Sequence, residues 1–148
     1  MIIDFHTHAF ADAIAPRAIA SLSKASGGLT PSTDGTAAGL LRCMDECGVD
    51  HSVLLTIATK PKQQKTINDW AAQLNHGRIS AFGSIHPDAP DALDELERIH
   101  ALGLRGVKSH VRNWRWKGHL APLMRPTKFP EIPVSLERNT EVFRHPLL

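Results

Sequence analysis

Short β-branched apolar runs alternate with longer stretches of helical periodicity along most of this chain. Ile2 to His6 has the apolar alternation of a short strand. Ala11 to about Ala25 is Ala-rich and predicts a helix, provided that Pro16 lies in its first turns. A Gly/Ser/Thr/Pro loop at 26–36 leads into a helix over Ala37–Cys47, with Gly48 placed to close it in the left-handed conformation. Residues 51–58 read as a strand covered on both faces. Pro61 opens a helix to His76 that Gly77 closes, and Ile79–Ile85 is the third strand. Asp88 is expected to cap the next helix, whose apolar stripe is Leu93, Leu96, Ile99 and Leu102 and whose stop is Gly103. Leu104 to about His110 is the fourth strand. Four strand–helix repeats predict a parallel α/β sheet.

The texture changes at Val111. Residues 111–148 hold five of the ten prolines and two of the three tryptophans. They carry 7 Lys+Arg against 3 Asp+Glu, whereas residues 1–110 carry 10 against 12. Pro122, Pro126, Pro130 and Pro133 leave no room for a useful helix, and only Ile132–Leu136 reads as a short strand. Two regions are therefore expected: an ordered unit over 1–110, and a divergent tail over 111–148 that is disordered or read in a shifted frame.

Composition narrows the function classes. With a net charge of +2 the whole chain favours no particular partner. No apolar run approaches the roughly 18 residues of a membrane span, and the N-terminus lacks the basic and apolar stretches of a signal peptide. A cytoplasmic protein without a membrane partner is expected. Cys43 and Cys47 lie four apart in a helical pattern and read as reduced thiols, too few for a metal site.

The candidate chemistry sits in the first strand. Strand alternation puts Asp4, His6 and His8 on one face and Ile3, Phe5 and Thr7 on the other. Two imidazoles two positions apart can converge on one divalent ion. Lys108 and His110 similarly share a face of the fourth strand with Leu104 and Gly106.

The segment Ile2-Ile3-Asp4-Phe5-His6-Thr7-His8, an N-terminal apolar strand ending in the histidine pair, resembles the start of the amidohydrolase superfamily. The likeness extends over residues 1–110. It includes Thr33-Asp34-Gly35-Thr36, Ile67-Asn68-Asp69-Trp70, Phe82-Gly83-Ser84-Ile85-His86-Pro87-Asp88 and Leu102-Gly103-Leu104-Arg105-Gly106-Val107-Lys108-Ser109-His110. The resemblance implies a (β/α)8 TIM barrel binding one or two divalent ions, usually zinc, with His6 and His8 as two metal ligands. It implies hydrolysis of a small-molecule amide, ester or related carbonyl, or decarboxylation of a small acid at the same kind of site. His110 becomes the candidate catalytic or substrate-binding group, and Lys108 and His86 further pocket candidates.

The remaining ligands of the family come from later strands, and no such strands are recognisable here. Glu137 follows Ile132–Leu136 where a ligand histidine belongs. An incomplete barrel of about four βα units is expected, truncated and inactive, with its open edges prone to self-association. A TatD-type nuclease shares the first motif and a Gly-x-His-Pro-like third strand, but it needs a glutamate on the fourth strand. Arg98 to Gly118 contains no acidic residue. The basic tail could instead bind nucleic acid through Trp114 and Trp116, or the chain could be a non-catalytic fragment.

Overall fold

The computed structural model describes residues 1–109 and 134–136. The elements are β1 (Ile3–Thr7), α1 (Ala15–Ala25), α2 (Ala37–Cys47), β2 (His51–Leu55), a 3₁₀ turn at Pro61–Gln63 that leads into α3 (Gln64–Leu74), β3 (Ile79–Ser84), α4 (Ala92–Ala101), β4 (Val107–Ser109) and β5 (Val134–Leu136). The strands form one parallel sheet in the order β1-β2-β3-β4-β5. The expected parallel α/β architecture is therefore present. It gains a strand over the four anticipated, because the short segment suspected within 132–136 pairs with β4.

Chain-order stacking has a directional consequence. Crossovers between parallel strands are right-handed, so a sheet that always grows toward the same edge collects its helices on one side. The hydrophobic core agrees. Leu54, Ile79, Ala81, Ile85 and Val107 from the sheet meet Leu40 and Met44 of α2, Ala71 of α3, and Leu96 and Ile99 of α4. Contact is close at Gly83, where a Cβ would stand 2.8 Å from carbons of Ile99.

Local signals explain most boundaries. The Thr36 hydroxyl accepts from the Gly39 amide at 2.9 Å and starts α2, and Gly48 ends it at φ 68°. Pro16 falls in the first turn of α1, where its missing N–H costs nothing. Two expectations for α4 are corrected. Asp88 is not its cap: the helix begins after Asp91, beyond Pro90, and the Asp88 amide donates to Nδ1 of His86. Leu93 is 47% exposed, and the buried stripe is Ala92, Glu95, Leu96 and Ile99. Leu96 and Ile99 stay inside as expected, and Glu95, bonded by Asn68 and Arg98, is buried where Leu93 was expected.

That buried acid is matched. The Asn68 side-chain amide donates to the Ser84 carbonyl (3.0 Å) and to Glu95 Oε1 (2.7 Å), while its oxygen accepts from the Ser84 amide (2.7 Å). Arg98 grips both Glu95 oxygens at 2.9 and 2.8 Å. One turn earlier on α3, Gln64 accepts from the His86 amide and donates to Asp91. Two amides at helical spacing thus tie α3 to the end of β3 and to α4.

Two expected outcomes follow from this cluster. Asn68→Ala leaves the Ser84 amide and the Glu95 carboxylate short of partners, and should cost about 3 kcal/mol in urea unfolding; a loss under about 1 kcal/mol would show that the cluster is not a clamp. Burial opposes ionisation of Glu95, but the bonds from Arg98 and Asn68 outweigh it and hold the folded carboxyl below its usual value of 4.5. The depressed folded value means that the unfolded chain takes up the proton first as pH falls. This stabilisation is therefore complete above pH 4.5 and is lost as pH falls through the lower folded value. Stability measured against pH should lose that acid limb in Glu95→Gln, and an unchanged limb would refute the assignment.

Candidate metal centre

Strand register decides which side chains share the face away from the helices. Leu54 faces the core and pairs with Thr7, so the residues flanking Thr7, His6 and His8, point to the opposite face. On β2 that face carries Val53 and Leu55, and on β3 it carries Phe82, the register partner of Leu55, and then Ser84. Ser84 pairs with Lys108, which brings this lysine, only 1% exposed, onto the same face as the two histidines. Gly106 lies under the Phe82 ring, so close that no Cβ fits there. Leu104, expected to share the Lys108 face, instead joins the helix-side core, because the strand proper begins only at Val107.

Asp4 also departs from expectation. It pairs with Ser52, and Thr7 pairs with Leu54, so three steps along β1 match two along β2. One extra residue is accommodated by a bulge, and side-chain alternation is broken across it. Ser52 and Leu54 lie on one face of β2, so Asp4 sits on the helix-side face and not with His6 and His8. Its carboxylate has a backbone partner, accepting from the His6 amide at 2.9 Å.

The two imidazoles meet directly. His6 Nε2 and His8 Nε2 are 3.0 Å apart, with the rings nearly perpendicular at 82°. His8 Nδ1 lies 2.8 Å from the Leu55 carbonyl oxygen, which can only accept, so Nδ1 carries the His8 proton. The His8 Nε2 lone pair then accepts from Nε2–H of His6. Two nitrogens on one tetrahedral zinc, each about 2.0–2.1 Å from it, sit about 3.3 Å apart. The pair is within a few tenths of an ångström of that spacing. A ring nitrogen anchored on a backbone carbonyl is also the outer partner that metal-binding histidines use. His6 and His8 are the two residues that would face a divalent ion here, and among the described residues no group of three or more His, Cys, Asp or Glu is assembled for one.

The other predicted residues are dispersed. His86 is buried just past β3, its amide held by Gln64 and its Nδ1 accepting from Asp88. His110 lies outside the described residues, as does most of the tail. His51 bonds Ser80 at the start of β2, consistent with a structural role. Cys43 and Cys47 are free thiols on α2, and the bond from Cys47 pushes the Cys43 thiol above its usual value, which disfavours the thiolate. A cavity of about 250 Å³ lies beside α2, lined by Thr33, Asp34, Arg42 and Cys43 among others. Hydrogen bonds from the Thr36 hydroxyl and amide hold the Asp34 carboxyl below its usual range, in a structural turn apart from the histidines.

No protein-family model matches the sequence, and no curated protein matches it. Among the described residues no helix is long and apolar enough to cross a membrane.

Sequence reasoning found the histidine pair but missed what supports it. The Leu55 carbonyl carries no side-chain signal. Asp4 did carry one, since an aspartate often accepts from the amide two residues on. The ring geometry has a direct test. At a pH where both rings are neutral and without metal, long-range ¹⁵N–¹H spectra should show His8 protonated on Nδ1 and His6 on Nε2. A His8 ring protonated on Nε2 would contradict the anchor.

Proposed function

We propose that this chain belongs to the metal-dependent hydrolases of the amidohydrolase type, with its strands as the opening units of a (β/α)8 barrel. The observation that carries the reading is the convergence of His6 and His8 at the carboxyl end of a first parallel strand, where such barrels keep their chemistry. His6 and His8 are the residues that would hold the ion, with zinc as first choice. Bound there, a divalent ion supplies an activated water near neutral pH and polarises a carbonyl oxygen. The substrate class is a small amide, ester or related carbonyl compound.

Lys108 and Ser84 place polar groups on the same face, and Phe82 with Gly106 supplies an apolar floor. The lysine in that position, rather than an acidic residue, favours a small-molecule substrate over a nucleic acid. Decarboxylation of a small acid at the same ion is the reading closest to this one.

Two protein ligands fall short of the usual three at catalytic zinc, so binding through the described pair should be weak. Zinc titration of the purified chain against a chromophoric chelator should find a site that His6→Ala and His8→Ala each weaken by about tenfold or more. Equal zinc affinity in all three proteins would remove the basis of the proposal. Zinc-dependent release of nucleotides from DNA would replace it with the nuclease reading.

A further inference from the structure

We infer that Asp4 is a positioning residue for the histidine pair, acting as the acceptor that holds open the β1 bulge; this rests on the metal reading above. The extra residue between Asp4 and Thr7 takes part of β1 out of the ladder with β2. A backbone N–H released from a ladder turns to water or to another acceptor. Asp4 Oδ1 provides it for His6 at 2.9 Å, across two residues of the same strand.

The bulge also determines where the rings point. Without it, Thr7 would fall one step further along β2, and a one-residue slip turns every side chain to the other face. With it, Thr7 pairs with Leu54 and donates its hydroxyl to the Val53 carbonyl at 2.9 Å, from a side chain that is itself buried. His8 then reaches the Leu55 carbonyl. The anchors on either side of the bulge are thus Asp4–His6 before it, and Thr7–Val53 and His8–Leu55 after it. The function of Asp4 is geometric: its carboxylate lies on the helix-side face and accepts a backbone proton instead of joining the ligand set.

The requirement is for an acceptor at this reach, not for charge. Asp4→Asn keeps an oxygen at the same distance, Asp4→Glu keeps the charge but adds a methylene, and Asp4→Ala removes the acceptor. The full-length chain carries two readouts. Without metal, hydrogen exchange of the His6 amide should be slow in the parent and in Asp4→Asn, and at least tenfold faster in Asp4→Ala and Asp4→Glu. With zinc alone as probe, affinity should hold in Asp4→Asn and fall by about 10- to 100-fold in Asp4→Glu and Asp4→Ala.

Asp4→Glu serves if Asp4→Ala does not fold. Fast exchange in Asp4→Asn, or parent-like exchange and zinc affinity in Asp4→Glu, would overturn the inference. If His6→Ala and His8→Ala bind zinc like the parent while the exchange pattern holds, the metal reading fails and the role of Asp4 in the bulge stands.

Discussion

The sheet adds each new strand on the same edge, and this one constraint arranges the rest of the molecule. Right-handed crossovers then deliver the helices to a single side. Apolar residues from Leu54, Ala81 and Val107 can therefore form one continuous core with Leu40, Met44, Leu96 and Ile99. Among the described residues, none of these core side chains lies on the other face. It is there that histidine, serine and lysine side chains appear along with Val53, Leu55 and Phe82.

A face of this kind needs its strand ends fixed more tightly than ladder hydrogen bonds alone can manage. The structure meets that need with side chains acting on backbone. Asn68 binds both the amide and the carbonyl of Ser84, Ser84 Oγ accepts from the Ala58 amide, and Thr56 donates to the Phe82 carbonyl. Glu95 and Arg98 complete the Asn68 cluster from α4. The buried Glu95 is tolerated because its oxygens are bonded by a guanidinium and an amide, where an unpaired carboxylate would take up a proton.

Much of this was legible in the sequence because it depends on neighbours along the chain. Strands β2 and β3, helix α2 with Gly48 after it, and the stop glycine Gly103 follow from residue type at fixed spacing, whereas α3 ends at Leu74 with Asn75 as its cap, short of the expected His76 and Gly77. The differences arose where a choice depended on distant partners. Leu93 and Glu95 compete for the inner face of α4, and the sequence favours the leucine; Asn68 and Arg98 reverse that order. Period-two alternation put Asp4 beside His6, and a slip in pairing with β2 undid it. The histidine pair was legible because it needs only local geometry, whereas the Leu55 carbonyl that orients His8 becomes visible only in the fold.

The His6–His8 contact also fixes where the ring protons lie. Facing lone pairs at 3.0 Å would repel, so a proton must lie between them. Because Leu55 fixes the His8 proton on Nδ1, the shared proton has to come from Nε2 of His6. A metal ligand must present a ring nitrogen lone pair, which His8 Nε2 already carries and which His6 Nε2 would gain only in its other tautomer. The pair is thus asymmetric: His8 takes its tautomer from a backbone carbonyl, and His6 takes its own from His8. Fixing the backbone of that second ring is the service the bulge requires from Asp4.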